Sequence, residues 1–247
     1  MKIGILQVGR VADPLVARYG EYPPMFEDMF AEAAPDFTYA YYETIAGVLP
    51  AHPQEADGWV ITGSKWGVYD DVPWIEPLKD FIRAARAADV PMLGVCFGHQ
   101  VMAEALGGRA VKSDKGWAFG RHDYTLHHTP SWMEGAAETV GLFANHQDQV
   151  TAIPEDATLI ASNDHCSHAI VVYGEPEAPW GFTIQPHPEF DRSYAGDLIR
   201  YLLDQGRAPA DVALPALETI PGGQESDRAA RWSAAFLRLA ARRAKAA

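Results

Sequence analysis

Cysteine is scarce: Cys96 and Cys166 are the only two in 247 residues. A disulfide-stapled secreted fold normally carries more, so both read as free thiols, and a free Cys is most often a small buried hydrophobe. Basic residues are outnumbered, 20 Lys and Arg against 33 Asp and Glu, for a net charge of −13. That balance argues against a nucleic-acid binder, which presents a basic face. No stretch reaches the ~18 consecutive apolar residues that span a bilayer, and no early segment joins a basic start to an apolar run as a signal peptide does. Repeats and low-complexity tracts are also missing. The expectation is a soluble cytoplasmic protein that binds neither membrane nor nucleic acid. Its apolar content of 48% and charged content of 21% are those of an ordinary globular chain.

The few bases are unevenly spread. From Ser226 to Ala247 six basic residues (Arg228, Arg231, Arg238, Arg242, Arg243, Lys245) face one acid, Asp227, a local +5 that leaves −18 on the rest.

The apolar pattern alternates between short runs and helical periods. Lys2 to Val8, Phe37 to Tyr42, Gly58 to Thr62 and Pro91 to Val95 read as strands. Pro23 to Ala34, Trp74 to Ala88 and His99 to Leu106 read as helices; in the second, Ile75, Leu78, Phe81, Ile82 and Ala85 share one face. This order predicts an α/β fold, a doubly wound and mostly parallel central sheet with helices on both faces in three layers. Arg109 to Asp148 lacks helical periodicity and reads as a small antiparallel addition. Ala157 to Ala161, Ala169 to Tyr173 and Trp180 to Ile184 read as further strands, and a helix follows near Tyr194 to Gln205. Residues 1–207 form the expected catalytic unit. Residues 208–247 read as a Pro/Gly connector followed by a basic amphipathic helix capped by Ser226, with Ala229, Trp232, Phe236 and Leu239 on one face. That helix packs on the domain or on a partner, an acidic protein or a second copy of the chain.

The sharpest local feature is Gly94-Val95-Cys96-Phe97-Gly98-His99-Gln100. A glycine stands two before and two after a cysteine, between a strand and a helix. This is the layout of a nucleophile elbow with Cys in place of Ser. The turn is too tight for side chains at the glycine positions, the helix N-terminus favours a thiolate, and the Phe97 N–H is placed to donate to an oxyanion. The bland alternative is a buried Cys ahead of a glycine turn.

A nucleophilic Cys needs a base, and the base an orienting group. Of nine histidines, His187 stands out in Gln185-Pro186-His187-Pro188-Glu189-Phe190. It lies just beyond an apolar strand, where the strand ends of a parallel sheet meet the ligand crevice. Glu189, two residues on, is close enough to accept from the ring. Without the cysteine elbow, a surface turn would be the better reading.

Together these two segments resemble the Cys–His–Glu triad of the class I (triad-type) glutamine amidotransferases. Ile61-Thr62-Gly63-Ser64 resembles that family's oxyanion strand, and Asn145-His146-Gln147-Asp148-Gln149-Val150 its glutamine-holding segment. The four elements appear in family order over residues 1 to about 205. The combined pattern, with Leu106-Gly107-Gly108, is similar to stand-alone members, among them γ-glutamyl peptide hydrolases. The resemblance implies a flavodoxin-like fold. It also implies Cys96, His187 and Glu189 as catalytic residues, and Gly63, Ser64, Phe97, Gln100, Asn145, His146 and Asp148 as oxyanion and substrate-binding residues. The implied reaction is hydrolysis of a γ-glutamyl amide, glutamine to glutamate and ammonia. The alternative is a γ-glutamyl peptide or amide hydrolase that needs no synthetase partner; a non-catalytic binding module is a third reading. No cofactor or metal is implied. The stretch after Gln205 is too short for an ATP-using domain, so any synthetase served would be a separate subunit.

Other groups invite weaker readings. Asp164-His165-Cys166-Ser167-His168 holds potential metal ligands, but on a strand only Cys166 and His168 would share a face. His127-His128 reads as a solvated pair and His99 as support for the elbow. Lys65, Trp66, Tyr69, Asp70 and Asp71 follow the oxyanion strand, where they either shape a leaving-group pocket or form an ordinary acidic loop. Trp117, Gly120 and Arg121 are further candidates for the pocket.

Overall fold

The computed structural model describes residues 1–244; Lys245 of the basic tail lies outside the described residues. Its framework is five parallel strands: β1 (Lys2–Leu6), β2 (Thr38–Tyr42), β3 (Gly58–Ile61), β4 (Met92–Val95) and β11 (Gly181–Ile184). The antiparallel strands β6 (Ala118–Leu126), β7 (Thr139–His146), β9 (Ala157–Ser162) and β10 (Ile170–Tyr173) extend this sheet in the order β2-β1-β3-β4-β11-β10-β9-β6-β7. A separate antiparallel pair joins β5 (Arg109–Lys112) to β8 (Asp148–Ala152). The fold class is thus the one the alternating elements predicted.

Period-two alternation decides which residues line which face. Ile3, Ile5, Val60, Leu93 and Val95 point to one side, where they pack with Phe26 and Phe30 of α2 (Tyr22–Phe30) and with Trp232 and Phe236 of α7 (Ser226–Ala244). Leu6, Trp59, Ile61 and Met92 point to the other, against α3 (Ile75–Ala87) and α4 (Phe97–Ala105). A third cluster joins α1 (Asp13–Tyr19), α5 (Arg192–Asp204) and α6 (Ala210–Thr219) to Phe119 and Phe143 of β6 and β7.

Three elements depart from the sequence reading. Residues 208–224 are not a plain connector, because α6 occupies Ala210–Thr219 with Pro215 inside it. Pro215 removes one backbone donor from the helix; Ala213 and Ala216 bury its inner face, and that packing holds it. The short α1 has no fully buried residue, so it left no apolar stripe to read. Ser226 is already inside α7 rather than ahead of it. The last helix packs on the domain: Trp232 and Phe236 are fully buried, and Trp232 Nε1 donates to Glu134 O at 2.9 Å. Part of its positive charge meets the acidic body, through Arg243 with Asp89 at 2.7 Å and Arg238 with Asp36.

Candidate active site

The parallel strands end together. Leu6 lies opposite Ile61, Ile61 opposite Gly94, and Val95 opposite Ile184. The turns that leave them therefore emerge side by side at one edge, the usual ligand crevice of such sheets. The β3 turn carries Gly63 and Ser64, the β4 turn Cys96, and the β11 turn His187 and Glu189.

Cys96 adopts φ 52° and ψ −103°, a conformation costly for any residue with a Cβ. Its neighbours explain how the turn is held. A Cβ on Gly94 would sit 2.5 Å from Gly98 O, and one on Gly98 would collide with Ile61, 2.9 Å from its Cβ. Glycine is required at both places because backbone meets backbone there. The Cys96 N–H donates to Ile184 O at 2.9 Å, which ties the turn to β11. Phe97 opens α4, so its N–H belongs to the first turn, which has no intrahelical acceptor.

His187 and Glu189 are buried at 3% and 6% exposure. The Nδ1 of His187 lies 2.7 Å from Glu189 Oε1, which fixes a proton on Nδ1 and leaves Nε2 for chemistry. The Phe190 ring stacks on the imidazole at 3.9 Å between centroids. Burial opposes charge on His187, yet the Glu189 carboxylate, the charge of Cys96 and hydrogen bonds to both outweigh it and raise the imidazole to about 10. Gly63 also adjoins this pair: a Cβ there would lie 2.9 Å from His187 Cε1 and 3.7 Å from Cys96 Cβ.

The remaining site candidates line one cleft of about 910 Å³, which includes Ser64, Cys96, Gln100, Asn145, His146, Asp148 and His187. They are placed differently within it. The Gln100 amide donates to Asp148 O at 3.0 Å and to Gln185 Oε1 at 3.1 Å, and His146 Nδ1 lies 3.1 Å from the same Asp148 carbonyl. Both side chains thus brace the segment at 145–148. Asn145 Oδ1 and His146 Nε2 are buried without a protein partner among the described residues. His146 is neutral, driven down to about 3 by burial and then by the charge of His187. The Asp148 carboxylate accepts from Tyr69 OH at 2.9 Å; burial raises it more than that bond lowers it.

Of the neighbouring candidates, Lys65, Trp66, Tyr69, Asp70 and Trp117 line the cleft, and Asp71 is not among its lining residues. Gly120 and Arg121 lie elsewhere. Gly120 packs on Thr219 and Ala216 of α6, and the Arg121 side chain bonds Gly223 O and Asp123. Sequence reasoning missed Arg10, Tyr22, Lys112 and Arg207, which reach the cleft from four separate segments and share no motif. His99 is buried beneath the elbow, 2.8 Å from Thr183 Oγ1, and burial holds it neutral at about 3. The 164–168 stretch is a loop rather than a strand. His168 Nδ1 turns to Val150 O at 2.9 Å and the Cys166 thiol is buried, pushed up to about 12. Among the described residues no three His, Cys, Asp or Glu converge to hold a metal. Nor, among them, is any helix long and apolar enough to cross a membrane.

Comparison with known proteins bears on the family and the fold. The family model for class-I glutamine amidotransferases matches residues 39–201. Gamma-glutamyl peptidase 3 of Arabidopsis thaliana is 27% identical over 214 residues, covering 83% of this chain and 84% of that one. The glutamine-hydrolyzing GMP synthase of Bacillus velezensis is 28% identical over 144 residues, 58% of this chain and 26% of that one. A glutamine amidotransferase structure from Thermotoga maritima superposes with a TM-score of 0.75 at 19% identity, covering 97% of this chain and 98% of that one; at that identity it speaks to the fold alone. The chain belongs to the class-I glutamine amidotransferase family.

Proposed function

We propose that this protein hydrolyses γ-glutamyl amide bonds through a Cys96–His187–Glu189 triad. The observation that carries the reading is the buried His187, paired to Glu189 at 2.7 Å and set with a strained Cys96 around Gly63. The Cys96 thiolate attacks the γ-carbonyl carbon and a C–S bond forms. The resulting oxyanion receives hydrogen bonds from the Phe97 N–H and from the Gly63–Ser64 turn. As the C–N bond breaks, His187 Nε2 gives its proton to the departing amine. Water then adds to the γ-glutamyl thioester, His187 takes its proton, and the C–S bond breaks to release glutamate and restore the thiolate. Glu189 fixes the tautomer and supports the imidazolium. Asp148 faces the substrate's α-ammonium group, with Gln100, Asn145 and His146 shaping that end of the cleft.

Glutamine itself, with ammonia leaving, is the simplest substrate. In that role the protein supplies ammonia to a synthetase. A second reading, a γ-glutamyl peptidase acting without a partner, draws on a specific pair of observations. The cleft of about 910 Å³ far exceeds a carboxamide, and the peptidase relative aligns over most of both chains. Glutamate release from glutamine and from a panel of γ-glutamyl peptides, without added protein, separates the two. Cys96→Ala should abolish turnover on every substrate while the protein stays folded; retained turnover overturns the triad.

A further inference from the structure

The turn that carries His187 and Glu189 has little regular support. Pro186 and Pro188 have no N–H to donate, and the carbonyls of His187, Pro188 and Phe190 belong to no strand or helix. Carbonyls in such a turn need partners from elsewhere. His187 O accepts from the Phe190 N–H at a long 3.4 Å within the turn, and one side chain from beyond α6 reaches all three. Gln224 Nε2 lies 3.2 Å from His187 O, 3.3 Å from Pro188 O and 2.6 Å from Phe190 O. Its other amide atom, Oε1, accepts from the Phe143 N–H at 2.8 Å. Phe143 O in turn accepts from the His187 N–H at 2.8 Å. The two N–H hydrogens of one amide, shared among three carbonyls, therefore fasten the turn to β7 and close a ring of hydrogen bonds through Phe143.

Gln224 is itself anchored. Glu225 N–H donates to Gly141 O at 2.8 Å and Glu225 Oε2 accepts from Gly141 N–H at 2.7 Å. Arg121 Nη1 reaches Gly223 O at 3.0 Å. Residues 223–225 thus lie along the β7 edge of the sheet, outside the stretch of 39–201 that the family model matches.

We propose that Gln224 is a positioning residue for the active site, a clamp through which the C-terminal segment holds His187 and Glu189 in register with Cys96. This rests on the triad reading above. The clamp touches neither substrate nor reacting atoms and acts by fixing the backbone that carries the base. Displacing a catalytic group by about 1 Å can cost about 10²-fold in rate.

The test uses the full-length protein and two variants. Gln224→Met keeps the bulk and removes every hydrogen bond; Gln224→Asn keeps an amide that is too short to reach both sides. The readouts are kcat and KM for glutamate release, and the pH profile of Cys96 alkylation by iodoacetamide, located by mass. The control is Glu225→Ala, which removes a side-chain bond to Gly141 but keeps the main-chain bond of residue 225 to Gly141 O that holds Gln224 in place, and does not touch the turn. The expected result is a fall in kcat of about 10- to 100-fold for Gln224→Met, a smaller fall for Gln224→Asn, little change in KM, and an altered alkylation profile. Glu225→Ala should keep the wild-type kcat and alkylation profile even if its melting temperature drops. If Gln224→Met fails to fold, Gln224→Asn carries the test. Wild-type kcat and alkylation in the folded Gln224 variants overturn the clamp, as does an equal loss in Glu225→Ala. If Cys96→Ala is inactive and the Gln224 variants are not impaired, the clamp alone fails; if Cys96→Ala retains turnover, the triad itself fails.

Discussion

Replacing Glu189 with Gln removes one charge and almost nothing else. Glutamine has the same length and can still accept from His187 Nδ1, now 2.7 Å from the Glu189 oxygen. The lost charge is large in effect because the pair is buried. An opposite charge about 4 Å away contributes roughly 4 kcal/mol at an effective dielectric constant of about 20. The elevation of His187 from 6.5 to about 10 corresponds to roughly 5 kcal/mol of preference for the imidazolium, shared among Glu189, Cys96 and the opposing cost of burial. Losing about 4 kcal/mol of support for a charge that must persist through amine expulsion predicts a fall in kcat/KM of about 10³-fold. The sign with pH also follows. A base raised in the folded state stabilises the fold fully below the unfolded value, about 6.5, and that contribution disappears as pH rises through about 10. Denaturant titrations should therefore show wild type more stable than Glu189→Gln near neutral pH, with the gap closing toward pH 10. The assay is glutamate release across pH, paired with those titrations. A folded Glu189→Gln enzyme within about tenfold of wild type at every pH would refute the electrostatic role argued from this geometry.

Three further perturbations probe other parts of the structure. Gly63→Ala places a methyl 2.9 Å from His187 Cε1, so kcat should fall more than the melting temperature; an unchanged kcat would show that the turn yields freely. Asp148→Asn removes the charge proposed to meet the α-ammonium group, and a charged hydrogen bond of about 1.5–3 kcal/mol predicts a KM roughly 10- to 100-fold higher, read from the same glutamate assay. Trp232→Ala empties a fully buried site in the core cluster beneath the sheet; a loss of about 3–5 kcal/mol in chemical denaturation is expected, and a loss under about 1 kcal/mol would mean that α7 only decorates the domain.

What was legible in the sequence is what short-range geometry enforces. Gly94 could be read as obligatory because a strand–turn–helix this tight brings it onto the backbone of Gly98 whatever surrounds it, whereas Gly98 is confined by Ile61 of the neighbouring β3. The alternation of Ile3 and Ile5 against Leu6, and the stripe of Ile75, Leu78 and Ile82, fixed two faces of the sheet, because periodicity survives any tertiary arrangement. The pairing of His187 with Glu189 was also local, two residues apart.

Only the tertiary structure decided the rest. α6 was hidden because Pro215 breaks the helical signal and packing against β6 supplies what propensity lacks. Arg10, Lys112 and Arg207 share the cleft through chain topology and carry no common motif. Gln224 is the clearest case: an isolated polar residue between two helices has no period and no motif, and its partners are main-chain carbonyls, which any residue type presents equally. Nothing in the sequence could mark those carbonyls as lacking partners until the β11 turn had been folded against β7.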